Sequence, residues 1–285
     1  MAKKTAKIID GKKLAEDTLI TLMRDIKALG RHPGLAAILI GDDEPSKLYI
    51  KNKKKAAERV GINFYDYRCG GETLPNITQE EILAAIDFLN KDPEVNGIIV
   101  QLPIPKKFDT KTIINRIDPS KDVDGFQPQD PLLLSEKIVI TPPLIGAVTQ
   151  ALTSTGEALK DKHAVIVSKN PIFSQPMGAA LEKLGIKIET IAPNHGFEEI
   201  TKKADILIVI VGKAGIITKN MVKPDAIVVD VGTNLIGDDQ FVGDVNPEVA
   251  EVAGWLTPVP GGIGPLTVAM LLKSTYELSL KQYGT

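Results

Sequence analysis

The sequence predicts an α/β fold of two domains built on parallel sheets. Three observations carry that expectation. Short β-branched apolar runs alternate with helical patterns along most of the 285 residues. The runs are continuously apolar rather than alternating, as strands covered on both faces require. Near the middle, Ser120–Lys137 is rich in Asp, Pro, Gln and Gly and has little periodicity, which predicts a domain boundary there. The domains are drawn as residues 1–122 with 267–285, and 123–266. From Ala164 onward the spacing is that of a Rossmann-like nucleotide domain.

The elements follow in order. Gly11–Leu29 reads as a helix, Leu35–Ile40 as a buried strand, Ser46–Val60 as a helix and Asn63–Arg68 as a strand. Thr78–Asn90 is a helix opened by a capping box of Thr78 and Glu81. Gly97–Val100 is a strand that leads into the polar amide of Gln101. Beyond the boundary, helices are expected at Ile145–Thr153, Gln175–Leu184, Glu198–Lys203 and Leu266–Lys281. Strands are expected at Ala164–Val167, Ile186–Ile191, Ile206–Val211 and Ala226–Val231.

Composition narrows the function. With 34 basic and 36 acidic side chains the chain lacks the basic excess of a nucleic-acid binder. The single cysteine, Cys69, excludes an internal disulfide and a Cys-rich metal site, so a reducing, cytoplasmic setting is expected. His32, His163 and His195 stand apart, without metal-ligand spacing, and no metal is expected. Met-Ala-Lys-Lys-Thr leads into no apolar signal core, and the longest apolar runs fall far short of the roughly 20 residues that cross a bilayer. No membrane association is expected.

Lys51, Lys53, Lys54 and Lys55 crowd one helix, and a solvated basic face explains most of them. At about 100° per residue, Tyr49, Lys53, Ala56 and Val60 fall on one inward stripe, while the other three lysines point away. An inward lysine is desolvated and has like-charged neighbours; both lower its pKa toward a range useful for proton transfer. Gln101 ends a buried parallel strand, where ligands bind in open α/β sheets, although a glutamine there also caps turns. Asp122-Val-Asp124-Gly-Phe lacks further acids at cation-ligand spacing, so one carboxylate accepting N–H bonds from a ligand is the better reading. The run Thr257-Pro-Val-Pro-Gly-Gly-Ile-Gly-Pro-Leu-Thr267 places three prolines and three glycines at the start of a helix. It reads either as a tight structural turn or as a loop whose backbone lets a ligand approach closely.

These motifs together resemble the bifunctional methylenetetrahydrofolate dehydrogenase / methenyltetrahydrofolate cyclohydrolase family. The resemblance rests on Ser46-x-x-Tyr49-Ile-x-x-Lys53-x-Lys55-Ala56, Gly97-Ile-Ile-Val-Gln101-Leu-Pro-Ile-Pro105 and Lys121-Asp-Val-Asp124-Gly-Phe126. It extends through Ala204-Asp-Ile-Leu-Ile, Asp230-Val-Gly232, Gly243-Asp-Val245 and Thr257–Thr267. It implies a folate/catalytic domain, an NAD(P)-binding Rossmann-like domain, a tetrahydrofolate-derivative site in the cleft between them, and a homodimer. It also implies that the final helix packs on the N-terminal domain. By the same resemblance, Lys53 is the acid/base group, Gln101 holds and tunes it, Tyr49 stacks on the aminobenzoyl part of the folate, and Asp124 binds the pterin edge. Pro260, Gly261 and Gly262 close over the substrate. The cofactor, NADP in preference to NAD, is assigned to Ser168, Lys169, Asn170, Phe173, Gly212, Thr233, Gly264 and Thr267.

The chain departs from the family pattern mainly in the cofactor half. Where the family reads Gly-Arg-Ser-x-x-Val-Gly-x-Pro, this chain reads Ser168-Lys-Asn-Pro-Ile-Phe173-Ser174-Gln-Pro176. Thr141-Pro-Pro-Leu144 replaces Pro-Cys-Thr-Pro, Thr233 replaces Ile, and Asp130 and Leu132 stand at the usual Asn and Gly positions. Added side-chain atoms at Ser168, Phe173 and Ser174 predict a weakened dinucleotide site. Three readings follow: a bifunctional enzyme, a cyclohydrolase with weak or lost dehydrogenase activity, and a non-catalytic binder. The inward lysine beside a glutamine argues against the last.

Overall fold

The computed structural model describes residues 5–71, 74–125, 127, 141–237 and 240–284. The first part of the chain runs β1 (Lys7–Ile8), α1 (Gly11–Leu29), β2 (Gly34–Ile40), α2 (Glu44–Val60), β3 (Asn63–Cys69), α3 (Gln79–Lys91), β4 (Gly97–Gln101) and α4 (Thr110–Asn115). Then come α5 (Pro143–Thr153), β5 (His163–Ser168), α6 (Pro171–Glu182), β6 (Lys187–Ile191), α7 (Glu198–Thr201), β7 (Ile206–Ile210) and β8 (Ile227–Asp230). The last elements are β9 (Asn234–Ile236), β10 (Gln240–Val242), β11 (Trp255–Leu256) and α8 (Ile263–Tyr283), with short 3-10 turns at Lys219–Met221 and Pro247–Glu251.

The residues form two compact units. One joins the described residues up to Ala15 to Leu144–Thr267; the other comprises Glu16–Pro143 and the chain from Val268. The division falls at Pro143/Leu144, whereas the sequence suggests 122/123, and the first residues belong with the second sheet. The reason is strand pairing: β1 lies parallel to β11, Lys7 opposite Trp255 and Ile8 opposite Leu256. Most of Ser120–Lys137, including Phe126, Asp130 and Leu132, lies outside the described residues.

The unit containing β2 has a three-stranded parallel sheet in the order β3-β2-β4. Its middle strand, Gly34–Ile40, is buried throughout. Ile38, Ile82, Ile86, Val100 and Ile113 lie in one apolar core with it. Beside β4 the chain returns in parallel at the single bridge Ile98↔Asp122. Asn96 is almost fully buried. It accepts from the Gly34 amide at 2.8 Å and the Tyr283 hydroxyl at 3.1 Å and donates to Gln282 at 2.8 Å. The end of α8 therefore packs in the same unit as β4, as the resemblance implies.

The other unit has a six-stranded sheet in the order β1-β11-β8-β7-β5-β6, parallel throughout. Its inner strands β5, β7 and β8 are almost wholly buried, which explains their continuous apolar runs. Val165, Leu207 and Val228 share one core cluster. β9 and β10 form a separate antiparallel hairpin.

All strands and helices expected from periodicity are present, with ends shifted by a few residues. The largest shift is at α6, which begins at Pro171 rather than Gln175. Asn170 caps it, its side chain accepting from the Ile172 amide at 3.0 Å, and Pro171 occupies the first turn. The short elements β1, β9, β10, β11 and α4 are not legible as patterns because two to six residues hold too few repeats for a period to show. Among the described residues no helix is long and apolar enough to cross a membrane.

Candidate active site

The site in the first unit is assembled at the carboxyl end of its parallel sheet. Helix α2 follows β2 and starts where Asp43 accepts from the Ser46 amide and hydroxyl, at 3.0 and 2.6 Å. Gly61, in the left-handed region at φ 90, ends it. The buried stripe of α2 is Ser46, Ile50, Ala57 and Val60. Tyr49, Lys53 and Ala56 are half-buried along its margin, and Lys51, Lys54 and Lys55 are exposed. The inward phase of Lys53 is thus present, displaced by about one residue from the deepest stripe.

Lys53 Nζ donates to Gln101 Oε1 at 2.9 Å, and Gln101 Nε2 donates to the Leu102 carbonyl at 2.7 Å. The second bond fixes which way the amide faces: its oxygen is held toward the lysine. Desolvation lowers the Lys53 pKa, and the Asp124 carboxylate opposes that shift. Asp124 is pushed up to about 6, first by burial and then by Asp122, with Lys53 pulling it down. The parallel bridge at Ile98↔Asp122 explains the meeting. Two residues further along each segment lie Val100 and Asp124, so Asp124 arrives beside the end of β4, where Gln101 stands.

The other polar residues of that motif are structural. Lys121 is buried and donates to the Leu89 and Asp92 carbonyls at 3.0 and 2.7 Å, closing the end of α3. Asp122 accepts from the Gly125 amide at 3.0 Å and so shapes the turn that carries Asp124. The sequence does not separate these roles: the carbonyls that hold Lys121 are remote in the chain, and nothing in the pattern tells the turn-shaping Asp122 from Asp124.

In the unit with the six-stranded sheet, the remaining candidates lie at the carboxyl ends of strands or in the first turns of the helices that follow. Ser168 ends β5, Lys169 and Asn170 lie between β5 and α6, Phe173 is in the first turn of α6, Gly212 follows β7, and Thr233 follows β8. Pro260, Gly261 and Gly262 follow β11, and Gly264 and Thr267 lie in the first turns of α8. Lys169, Asn170, Gly212, Thr233, Pro260 and Gly264 are exposed, while Gly261 and Gly262 are buried. The Thr267 hydroxyl donates within its own helix to the Ile263 carbonyl at 3.0 Å.

Of the three positions expected to add atoms to the dinucleotide site, Ser168 and Ser174 bond within the chain and Phe173 is half-buried. Both serine side chains are buried. Ser168 Oγ accepts from the Asn170 amide at 3.1 Å, and both hydroxyls face the Asn170 carbonyl, at 3.2 and 3.4 Å. The added atoms fill the inside of the loop rather than its outer face. Gly178 keeps the close packing of α6 on the sheet; a Cβ there would lie 3.3 Å from Ile188.

Two carboxylates whose motifs carry the resemblance, but to which the sequence assigns no role, are the most heavily bonded of the described groups in this unit. Asp244, fully buried, accepts from the amides of Val211, Gly212 and Lys213 at 2.7, 2.9 and 2.8 Å and from Asn234 Nδ2 at 2.9 Å. Asp230 accepts from the amides of Gly232, Asp244 and Val245 at 2.9, 3.1 and 2.9 Å. Burial raises Asp230 to about 7 against those three bonds, and Asp244 adds to the rise. The signal available in the sequence was the pairing of an acid with a glycine in both Asp230-Val-Gly232 and Gly243-Asp244.

Comparison with known proteins also divides the chain in two, although the matched segments run on continuously where the structural units exchange residues at Ala15/Glu16 and Thr267/Val268. The catalytic-domain model of tetrahydrofolate dehydrogenase/cyclohydrolase matches residues 9–124, and the NAD(P)-binding-domain model matches residues 142–283. The bifunctional protein FolD of Xanthomonas euvesicatoria pv. vesicatoria (strain 85-10) is 41% identical over 286 residues, covering 97% of this chain and 93% of that protein. The structure of the bifunctional FolD methylenetetrahydrofolate dehydrogenase/cyclohydrolase from Campylobacter jejuni is 36% identical, with a TM-score of 0.88 over 97% of this chain and 99% of its own. The Trypanosoma brucei FolD enzyme, solved with NADP and an inhibitor, is 29% identical with a TM-score of 0.91 over 99% of each chain. The fold and the matched domains define a two-domain α/β enzyme of one-carbon chemistry. The chain belongs to the tetrahydrofolate dehydrogenase/cyclohydrolase family.

The raised Asp124 has a consequence for stability. Between its ordinary value of 3.8 and about 6, the folded protein keeps a proton that the unfolded chain has lost. The stability contributed by this group therefore falls as pH rises through that window. Asp124→Asn removes the titration, so the unfolding midpoint of the variant should gain on wild type from pH 4 to pH 6 and hold a constant difference above it. Denaturant unfolding of both proteins across that range measures this. A difference independent of pH would show that Asp124 titrates in its ordinary range.

Proposed function

We propose that this chain oxidises methylenetetrahydrofolate to methenyltetrahydrofolate with NADP and hydrolyses the methenyl form to formyltetrahydrofolate, with Lys53 as the proton-transfer group of the hydrolysis. The observation that carries the reading is the Lys53–Gln101 bond beside Asp124, in a chain whose family is shown on both domains. The family resemblance draws the folate part as 1–122 with 267–285 and the nucleotide part as 123–266; in the structure's own units these are Glu16–Pro143 with the chain from Val268, and Leu144–Thr267 with the residues up to Ala15. The homodimer and the cytoplasmic setting rest on resemblance and on composition respectively.

A methenyl carbon is already electrophilic, so its hydration needs orientation and one tuned base rather than a metal. Among the described residues no group of three or more His, Cys, Asp or Glu is placed to hold a metal ion. Lys53, with its pKa lowered by desolvation, exchanges a proton with the attacking water and then with the departing ring nitrogen. Gln101 directs the amine: with its own NH₂ bonded to Leu102, its carbonyl oxygen is the fixed acceptor that orients Nζ. Tyr49, one helical turn before Lys53, offers the half-exposed ring on which the aminobenzoyl group stacks. Asp124 accepts N–H bonds from the pterin edge once ionised. Pro260, Gly261 and Gly262 are assigned to the substrate on resemblance.

NADP, when bound, accepts the hydride from the methylene carbon. The donor set fits a dinucleotide phosphate. Exposed Lys169 supplies positive charge at the first strand-to-helix loop. The second strand ends at Ile191 and is followed by Ala-Pro-Asn194-His195, with no acid to hold an NAD ribose. Glu189 lies within that strand and is engaged by His163 at 3.1 Å. Lysine gives the attraction without an arginine's bidentate fork. A cyclohydrolase that has lost the dehydrogenase half is the less favoured reading: the serines that suggested it are turned inward, and the relatives are bifunctional.

Lys53→Met should lower methenyl hydrolysis by about a hundred- to ten-thousand-fold, the usual contribution of a positioned base. Lys54→Met, on the solvent face, is its control and should leave the rate near wild type. Near-normal hydrolysis in Lys53→Met would remove this lysine from the mechanism. For the second activity, steady-state kinetics at saturating methylenetetrahydrofolate should give a higher kcat/KM with NADP than with NAD. Preferential use of NAD would overturn the charge argument, and no turnover with either nucleotide would reinstate the cyclohydrolase-only reading.

A further inference from the structure

Three loops leave the carboxyl ends of adjacent strands in the six-stranded sheet: Val211–Lys213 after β7, Val231–Thr233 after β8, and the segment from Thr257 after β11. Two buried aspartates tie all three together, the first two loops by their carboxylates and the third by the backbone of Asp230. Asp244 takes three successive amides of the first loop, and through Asn234 it also holds the far end of the second. Asp230 takes the Gly232 amide of the second loop and the amides of Asp244 and Val245. Its own backbone amide donates to the buried Thr257 hydroxyl at 2.7 Å, which engages the third loop.

The glycines of the two motifs make room for this arrangement. A Cβ at Gly232 would fall 2.2 Å from Asp244 Cγ, and one at Gly243 would fall 1.8 Å from Asp230 Oδ2. Each carboxylate sits where the other's neighbouring glycine has no side chain. The result at the outer face is specific. Gly212 is held at φ +70 with no atom within 4 Å of where its Cβ would be, so its backbone is open to close approach. Carboxyl ends of inner parallel strands are where dinucleotides lie in such sheets.

We propose that Asp230 and Asp244 are positioning residues for the dinucleotide: they fix the backbone of the strand-end loops, above all Val211–Lys213, in the shape that receives it. The proposal rests on the reading of this unit as the NADP-binding one. It gives the pair no role in hydrolysis, whose residues Lys53 and Gln101 lie in the other unit.

The matched control is Asp205. It too is a carboxylate that accepts a backbone amide, from His163 at 2.9 Å, and it pairs with Lys223 at 2.6 Å. It precedes β7, at the amino end of the same sheet, so its loss destabilises without touching the strand-end loops. Asp244→Asn, Asn234→Ala and Asp205→Asn are compared with wild type by NADP titration calorimetry, methenyl hydrolysis rate and thermal midpoint without ligand. Asp244→Asn should weaken NADP binding by about ten- to hundred-fold, the cost of misplaced binding groups, while hydrolysis is retained. Asn234→Ala should weaken NADP binding less, in the same direction, and it decides the matter if Asp244→Asn does not fold. Asp205→Asn should lower the midpoint and leave the NADP affinity at the wild-type value. NADP affinity unchanged in the folded Asp244 and Asn234 variants, or lost equally in Asp205→Asn, overturns the positioning role. Wild-type protein that binds no NADP overturns the nucleotide reading itself and this role with it.

Discussion

Removing a charged side chain from water is costly unless something fixed takes the place of the solvent. Both units of this protein are organised around that constraint. In the first, Lys53 loses solvent at the end of a parallel sheet and gains one oriented amide and one carboxylate in return. Neither neighbour fully restores the stability of the ammonium, so the proton is held less tightly than on a surface lysine. The same burial acts in reverse on Asp124, holding its proton to about pH 6. An amine and a carboxylate displaced toward each other on the pH scale suit a reaction in which water is added near neutrality.

In the second unit the solvent's place is taken by backbone. Asp244 and Asp230 accept amide bonds that no strand or helix uses, and so fix loops that would otherwise have no regular structure. The two solutions differ in what they produce. A lysine with few partners keeps chemical freedom at its nitrogen. A carboxylate saturated with backbone donors has none left and instead gives shape to the chain around it.

The fold was legible because continuous apolar strands and amphipathic helices are properties of local sequence. The two-residue strands β1 and β11 were not, since pairing with each other and with β8 is what defines them. The inward face of Lys53 could be read from helical phase alone, though the deepest stripe proved to run through Ile50 and Ala57. Within Lys121-Asp-Val-Asp124 the division of labour was not legible. Lys121 answers to helix-end carbonyls about thirty residues away, and only the fold brings them near. Ser168 and Ser174 look like obstacles in the sequence, which shows which atoms are added and not which way they point. The motifs of Asp230 and Asp244 stand out in the sequence but their role does not: their partners are backbone amides, which every residue but proline carries.

The central claim is that burial lowers the Lys53 pKa and so frees this amine to act as a base. Its direct test is an NMR titration of the protein with isotopically labelled lysine side chains, the Lys53 signal being assigned by its absence in Lys53→Met. The account predicts a midpoint clearly below the ordinary lysine value of 10.5. A Lys53 midpoint at or above 10.5 would contradict it.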